Sequence, residues 1–122
     1  MLSMHIVIAN CLKYPYVSTS DAVIVRVLET RGHTVDAAPW NGPWQPFEEA
    51  DVVVVRSTWD YHYMPDVFEE WLTRLEQANI TTYNPINLMR WNMSKTYLLE
   101  LSAKGINVPQ SACVTPGDTL AN

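Results

Sequence analysis

The chain has 122 residues, of which 48% are hydrophobic and 17% charged, and its 8 Lys plus Arg against 13 Asp plus Glu leave a formal net charge of −5. This is the mixture of one globular domain, able to bury roughly two-thirds of its unfolded surface, and it excludes a disordered chain. An acidic chain without a basic block repels a phosphate backbone, which argues against a nucleic-acid partner, and no apolar run approaches the ~20 residues of a membrane helix.

The segment Met1–His5 carries no basic stretch followed by an apolar one, so no signal peptide is expected. The two cysteines, Cys11 and Cys113, have neither metal-ligand spacing nor a disulfide framework. Both features fit a reducing cytoplasm.

His5-Ile6-Val7-Ile8-Ala9 reads as a short strand buried on both faces, hence parallel. Asn10 to Thr19 is polar, aromatic and interrupted by Pro15, a loop. Ser20 is the expected cap of a helix with Asp21 in its first turn, Ile24, Val27 and Leu28 at helical spacing, and Gly32 as its stop. His33 to Ala38 is a second strand, completing a βαβ unit.

Pro39 to Pro46, with three prolines and a glycine, is expected to be irregular. Val52 to Val55 is the most apolar run; four β-branched residues suit a central parallel strand. The rhythm of Met64, Val67, Phe68, Trp71, Leu72, Leu75 and Ala78 predicts an amphipathic helix with Pro65 in its first turn and Asn79 at its exit, and with Glu69, Glu70, Arg74 and Glu76 on its other face. Ile80 to Tyr83 reads as a strand and Asn84-Pro85 as the opening of a helical turn to Trp91. Asn92 or Ser94 caps a last helix ending at Lys104-Gly105, and Ala112 to Val114 reads as a final strand. Residues 1–114 thus form one α/β domain with an open, mostly parallel sheet and helices on both faces, and residues 115–122 a frayed tail.

Chemistry concentrates after the valine strand, in Arg56-Ser57-Thr58-Trp59-Asp60-Tyr61, just past the carboxyl end where open α/β sheets bind ligands. Two readings are open on the residues alone. In one, Arg56 clamps a carboxylate or phosphate. In the other, Arg56 pairs internally with Asp60 and Trp59 packs under the next helix. Lys95, near a helix start, is either an anion grip or a solvated lysine. His5, His33 and His62 share no metal-ligand spacing, and Gly32, Gly42, Gly105 and Gly117 are too scattered for a phosphate loop. Trp71 and Trp91 suit packing; Trp40 and Trp44 suit either a pocket wall or an interface.

The ordered set VVVVRSTWD over Val52–Asp60, then Tyr61, Phe68, Trp71, Asn84-Pro85, Trp91-Asn92, Ser94-Lys95, Tyr97-Leu98, Leu101, Gly105-Ile106 and Val108-Pro109 resembles the N-terminal part of bacterial ATP-grasp ligases. The subgroup it is most similar to is that of glutathione synthetase and the cyclo-ligase of cycloserine biosynthesis. The resemblance runs from about Ile6 to Val114. It implies a small Rossmann-like pre-ATP-grasp domain of an enzyme in which ATP phosphorylates a carboxylate and an amine displaces the phosphate.

By the same resemblance Arg56, Ser57, Thr58 and Tyr61 face the substrate and Lys95 touches ATP, although Ser94 stands where the commoner pattern has Asp. The family's ATP-grasp body, with its second nucleotide lysine and its magnesium ligands, has no counterpart among these residues. The chain is therefore expected to need that body, in cis or in trans, before ATP and magnesium can act, and to contain no catalytic or metal-binding residue of its own. The alternative is a non-catalytic module that binds a small ligand or self-associates as a homodimer.

Overall fold

The computed structural model describes residues 2–119. Four parallel strands form its sheet: β1 (His5–Asn10), β2 (Thr34–Pro39), β3 (Val52–Val55) and β4 (Thr81–Tyr83), in the order β2-β1-β3-β4. The two apolar strands are the central neighbours that their sequences predict, with Ile6 opposite Val52 and Ala9 opposite Val55. Their backbone groups are satisfied on both sides by parallel ladders, the arrangement open only to segments buried on both faces.

Helix α1 (Thr19–Thr30) connects β1 to β2, moving outward in one direction along the sheet. The path from β2 past β1 to β3, and on through α3 (Pro65–Gln77) to β4, moves the other way. Right-handed crossovers therefore place α1 on one face and α3 on the other. Val7, Ala9 and Val53 join Phe47, Phe68, Trp71, Leu72 and Leu75 in the core on the α3 side. Ile6 and Ile8 alternate to the α1 side, where they are also buried.

Ser18, not Ser20, caps α1: its Oγ accepts from the Asp21 N–H at 3.1 Å. The cap oxygen must reach an N–H three residues on, and Ser18 has that spacing to Asp21. The helix ends at Gly32 with φ +87°, and α3 ends before Asn79 with φ +53°, both in the left-handed region that favours Gly and Asn.

The proline-rich segment is not wholly irregular. Gln45–Glu48 forms a single helical turn, α2, which admits Pro46 in its first turn because no intrahelical N–H is needed there. Phe47 pins that turn into the core with no exposed surface. Helix α4 (Ile86–Met93) runs longer than its sequence predicts, and α5 (Tyr97–Ala103) begins after Thr96, so neither Asn92 nor Ser94 is its cap. Asn92 lies within α4, and the Ser94 Oγ instead bonds the Thr96 hydroxyl at 3.0 Å.

Arg90 fastens α4 to α3. It bonds Glu69 through Nε at 2.6 Å, Thr73 at 3.0 Å, and both oxygens of Glu76 at 3.0 and 2.9 Å. Glu69, Thr73 and Glu76 share one face of α3 by their spacing. Two glutamates that read as part of a solvated face thus hold the next helix. Ala112–Val114 forms no strand; it runs beside α5 and lines a cavity with it. The expected fray of residues 115–122 covers Thr115–Thr119, which hold no helix or strand, and residues 120–122, which lie outside the described residues.

Phe47→Ala should cost about 3–5 kcal/mol in chemical denaturation, the range for a buried phenyl ring. Val23→Ala, at an exposed position on α1, should stay within about 0.5 kcal/mol. Equal losses at the two positions would contradict the central place of α2.

Candidate functional site

The carboxyl edge of the sheet is where β1, β3 and β4 deliver Asn10, Arg56 and Asn84. As the chain leaves β3, the N–H groups of Arg56 and Ser57 both donate to the Ala9 carbonyl, at 3.3 and 3.2 Å. This turns the two side chains across the end of β1 toward the first turn of α1. There Asp21, only 2% exposed, accepts from Arg56 Nε at 2.9 Å and from Ser57 Oγ at 2.8 Å. Burial pushes the Asp21 carboxyl up, but the bonds from Ser57, Arg56 and Ser18 outweigh it and hold the group below the usual 3.8.

The Arg56 side chain remains 44% exposed, and only its Nε is bonded among the described residues. Its two terminal amino groups have no bond among the described residues and form a forked pair with the geometry of two oxygens of a carboxylate or phosphate. The internal pair with Asp60 does not form. Asp60 accepts instead from Trp40 Nε1 at 2.7 Å and Asn41 Nδ2 at 3.1 Å, bracing the loop after β2. Nor does Trp59 pack under the next helix: it is 53% exposed and meets Tyr14 edge-on at 5.6 Å.

Ser57 is buried, and its Oγ donates to the same Asp21 carboxylate that Arg56 bonds. Thr58 and Tyr61 line a 150 Å³ cavity together with Val55, Phe68, Asn84 and Asn92. Its polar groups are neutral: a hydroxyl, a phenol and two amides. Lys95 lies in the turn before α5, with Nζ 3.4 Å from the Asn92 carbonyl and 3.2 Å from its Oδ1. It lines a second cavity, of 430 Å³, with Ser94, Thr96, Leu99, Ser111 and Cys113. Asn92 therefore touches the first cavity and holds the lysine of the second.

Sequence reasoning missed Asp21 as the partner of Arg56, and Asn92 as a site residue. For Asp21 a signal existed: an acidic residue in the first turn of the helix that follows the first strand lies at the same edge as the end of any neighbouring parallel strand. Asn92 stands in the Trp91-Asn92 pair of the resemblance, but its place at the cavity depends on how α4 packs.

The family model for the N-terminal domain of D-cycloserine synthetase DcsG matches residues 6–84, a span that takes in Arg56, Ser57, Thr58 and Tyr61 and stops short of Lys95. The cycloserine biosynthesis protein DcsG of Streptomyces lavendulae is 28% identical over 99 residues, 80% of this chain and 33% of that protein. The chain thus spans about a third of the length of this relative. The crystal structure of D-cycloserine synthetase DcsG shares the fold, with a TM-score of 0.81 at 22% identity over 93% of this chain and 38% of that one.

Asp21→Asn should cost about 1.5–3 kcal/mol, the range for a hydrogen bond to a charged group. Because the Asp21 pKa is depressed, its contribution is present above 3.8 and lost as pH falls through the lower folded-state value. Urea denaturation from pH 2.5 to 7 should show wild type and variant converging at the acid end. Parallel curves would sink this assignment.

Proposed function

The chain belongs to the family of DcsG N-terminal domains, and from that premise we propose that it is the substrate-side domain of an ATP-dependent carboxylate–amine ligase of the ATP-grasp type. The observation that carries this reading is the Arg56 guanidinium, fixed through Nε by a buried carboxylate and open at both terminal nitrogens at the carboxyl edge of the sheet. In a reaction of this class ATP converts a carboxylate to an acyl phosphate, and an amine then displaces phosphate. The part of this domain is to bind and orient.

Arg56 takes the substrate carboxylate or phosphate, and the neutral cavity of Thr58 and Tyr61 takes an uncharged part of the same small molecule. Lys95, in the adjoining cavity, meets a phosphate of the nucleotide. Among the described residues no group of three His, Cys, Asp or Glu converges as metal ligands. By the likeness to ATP-grasp ligases, the reading assigns magnesium and the transfer step to an ATP-grasp region, supplied in cis or in trans.

Titration calorimetry on the chain joined to its ATP-grasp region tests the two contacts separately. Arg56→Lys keeps a charge for Asp21 but cannot serve Asp21 and a forked acceptor together. It should weaken carboxylate binding about tenfold or more, since a charged hydrogen bond contributes ~1.5–3 kcal/mol, with little change in the urea midpoint. Lys95→Ala should weaken ATP alone, and ATP should slow alkylation of the exposed Cys113 in the same cavity. Unchanged affinities in both variants would remove the case for this site.

A second reading, self-association, is favoured by a separate observation. Trp91, Leu99, Ile106 and Val114 are 40–51% exposed along α4, α5 and the segment that follows. Apolar surface of this kind seeks a partner. Sedimentation of the 122-residue chain should show a dimer; a monomer at high protein concentration would exclude it.

A further inference from the structure

At the edge of the sheet opposite the site, His5 opens β1 between two obligate hydrogen-bond acceptors. Its Nε2 lies 2.8 Å from Asp36 Oδ2 on β2, and its Nδ1 lies 3.0 Å from the carbonyl of Glu49, which caps α2. A neutral imidazole has one N–H and one bare nitrogen, so in either tautomer a lone pair would point at an oxygen. Only the imidazolium donates to both. We propose that His5 is a pH-operated clasp: as an imidazolium it ties β2 to the turn of α2, and on losing its proton it releases that turn.

The charged groups around the ring favour the proton. From β2 comes the Asp36 carboxylate. From the connector to β3 comes Asp51, whose carboxylate accepts the His5 backbone N–H at 2.7 Å. The Glu49 carboxylate is turned to Gln45 Nε2 at 2.8 Å, so its main-chain oxygen is what faces the ring. His33, just before β2, accepts the Met4 N–H through Nδ1 at 3.3 Å.

The Glu49 carbonyl first, then Asp36, raise the His5 pKa above 6.5 against the effect of burial. The stabilisation is thus full below pH 6.5 and lost as pH rises through the higher folded-state value. The tethered element is short: α2 spans Gln45–Glu48, has no side-chain cap, and is otherwise held by Phe47. Trp44, just before it, stacks under Arg74 at 4.2 Å and with Trp40 and Trp71 walls a 550 Å³ groove. The clasp therefore acts on a wall of this groove.

Imidazole nitrogen NMR from pH 5.5 to 9, with backbone amide exchange read in parallel, tests this on the full chain. At pH 6.5 both His5 ring nitrogens should carry protons in most molecules. Protection of the Glu49 and Ala50 amides should fall with the His5 midpoint, by about tenfold for each unit that midpoint lies above the reference value. Asp36→Asn should lower the midpoint, and His5→Gln should leave those amides equally exposed across the range. If His5→Gln fails to fold, the Asp36→Asn titration decides alone. A His5 midpoint at or below 6.5, or amide protection at Glu49 and Ala50 blind to that midpoint, would overturn the proposal.

Discussion

Asp21 is the constraint on which the arrangement of this domain turns. A carboxylate shut away from water is costly unless donors surround it, and here they come from two distant parts of the chain: Ser18 just before α1, and Arg56 and Ser57 just past β3. Satisfying it sets how closely α1 approaches the third strand. It also sets the direction in which the chain leaves that strand, since Arg56 and Ser57 bond the Ala9 carbonyl through their backbone while their side chains turn to Asp21. The position and orientation of the guanidinium follow. With Nε occupied, the remaining donors face outward as a fork.

On the opposite face of the sheet the corresponding task falls to aromatic packing. Trp40, Phe47, Phe68 and Trp71 meet at centroid separations of 5.0 to 6.3 Å, largely edge to face, a geometry suited to ring quadrupoles. Asp60 draws the Trp40 indole N–H to the 3-10 turn at Tyr61–Tyr63, so the loops after β2 and β3 are braced together. Arg90 then fixes α4 on α3 through two glutamates, and α4 carries Met89, Asn92 and Met93 to the neutral cavity beside Tyr61. Removing that clamp would free a helix that forms one wall of the cavity without touching the sheet's own ladder.

On the proposed reading, the site separates two kinds of recognition in space. Charge resides on Arg56 and Lys95, both exposed, where an anion can reach it. Neutral donors and acceptors line the cavity of Thr58, Tyr61, Asn84 and Asn92.

The fold was legible wherever local pattern determines structure. Ile6–Ala9 and Val52–Val55 declared themselves central strands because only segments covered on both faces can be apolar without alternation, and the 3.6-residue rhythm of Phe68, Trp71, Leu72 and Leu75 identified the helix over the core. The position of Arg56 was likewise legible, since it follows directly from the end of a parallel strand. Its partner was not: Asp60, four residues away, is the nearer carboxylate in the chain, yet Asp21, 35 residues earlier, is the one that the pairing of β1 with β3 brings to it. Phe47 converted a proline-rich stretch into a helical turn by burial, and the expected strand at Ala112–Val114 lies against α5 instead of pairing with the sheet. The sequence by itself determined elements whose stability comes from neighbours within one turn or one strand. Only the tertiary structure decided which charges meet, because pairing across a sheet edge depends on strand order, and strand order is set by the packing of the whole chain.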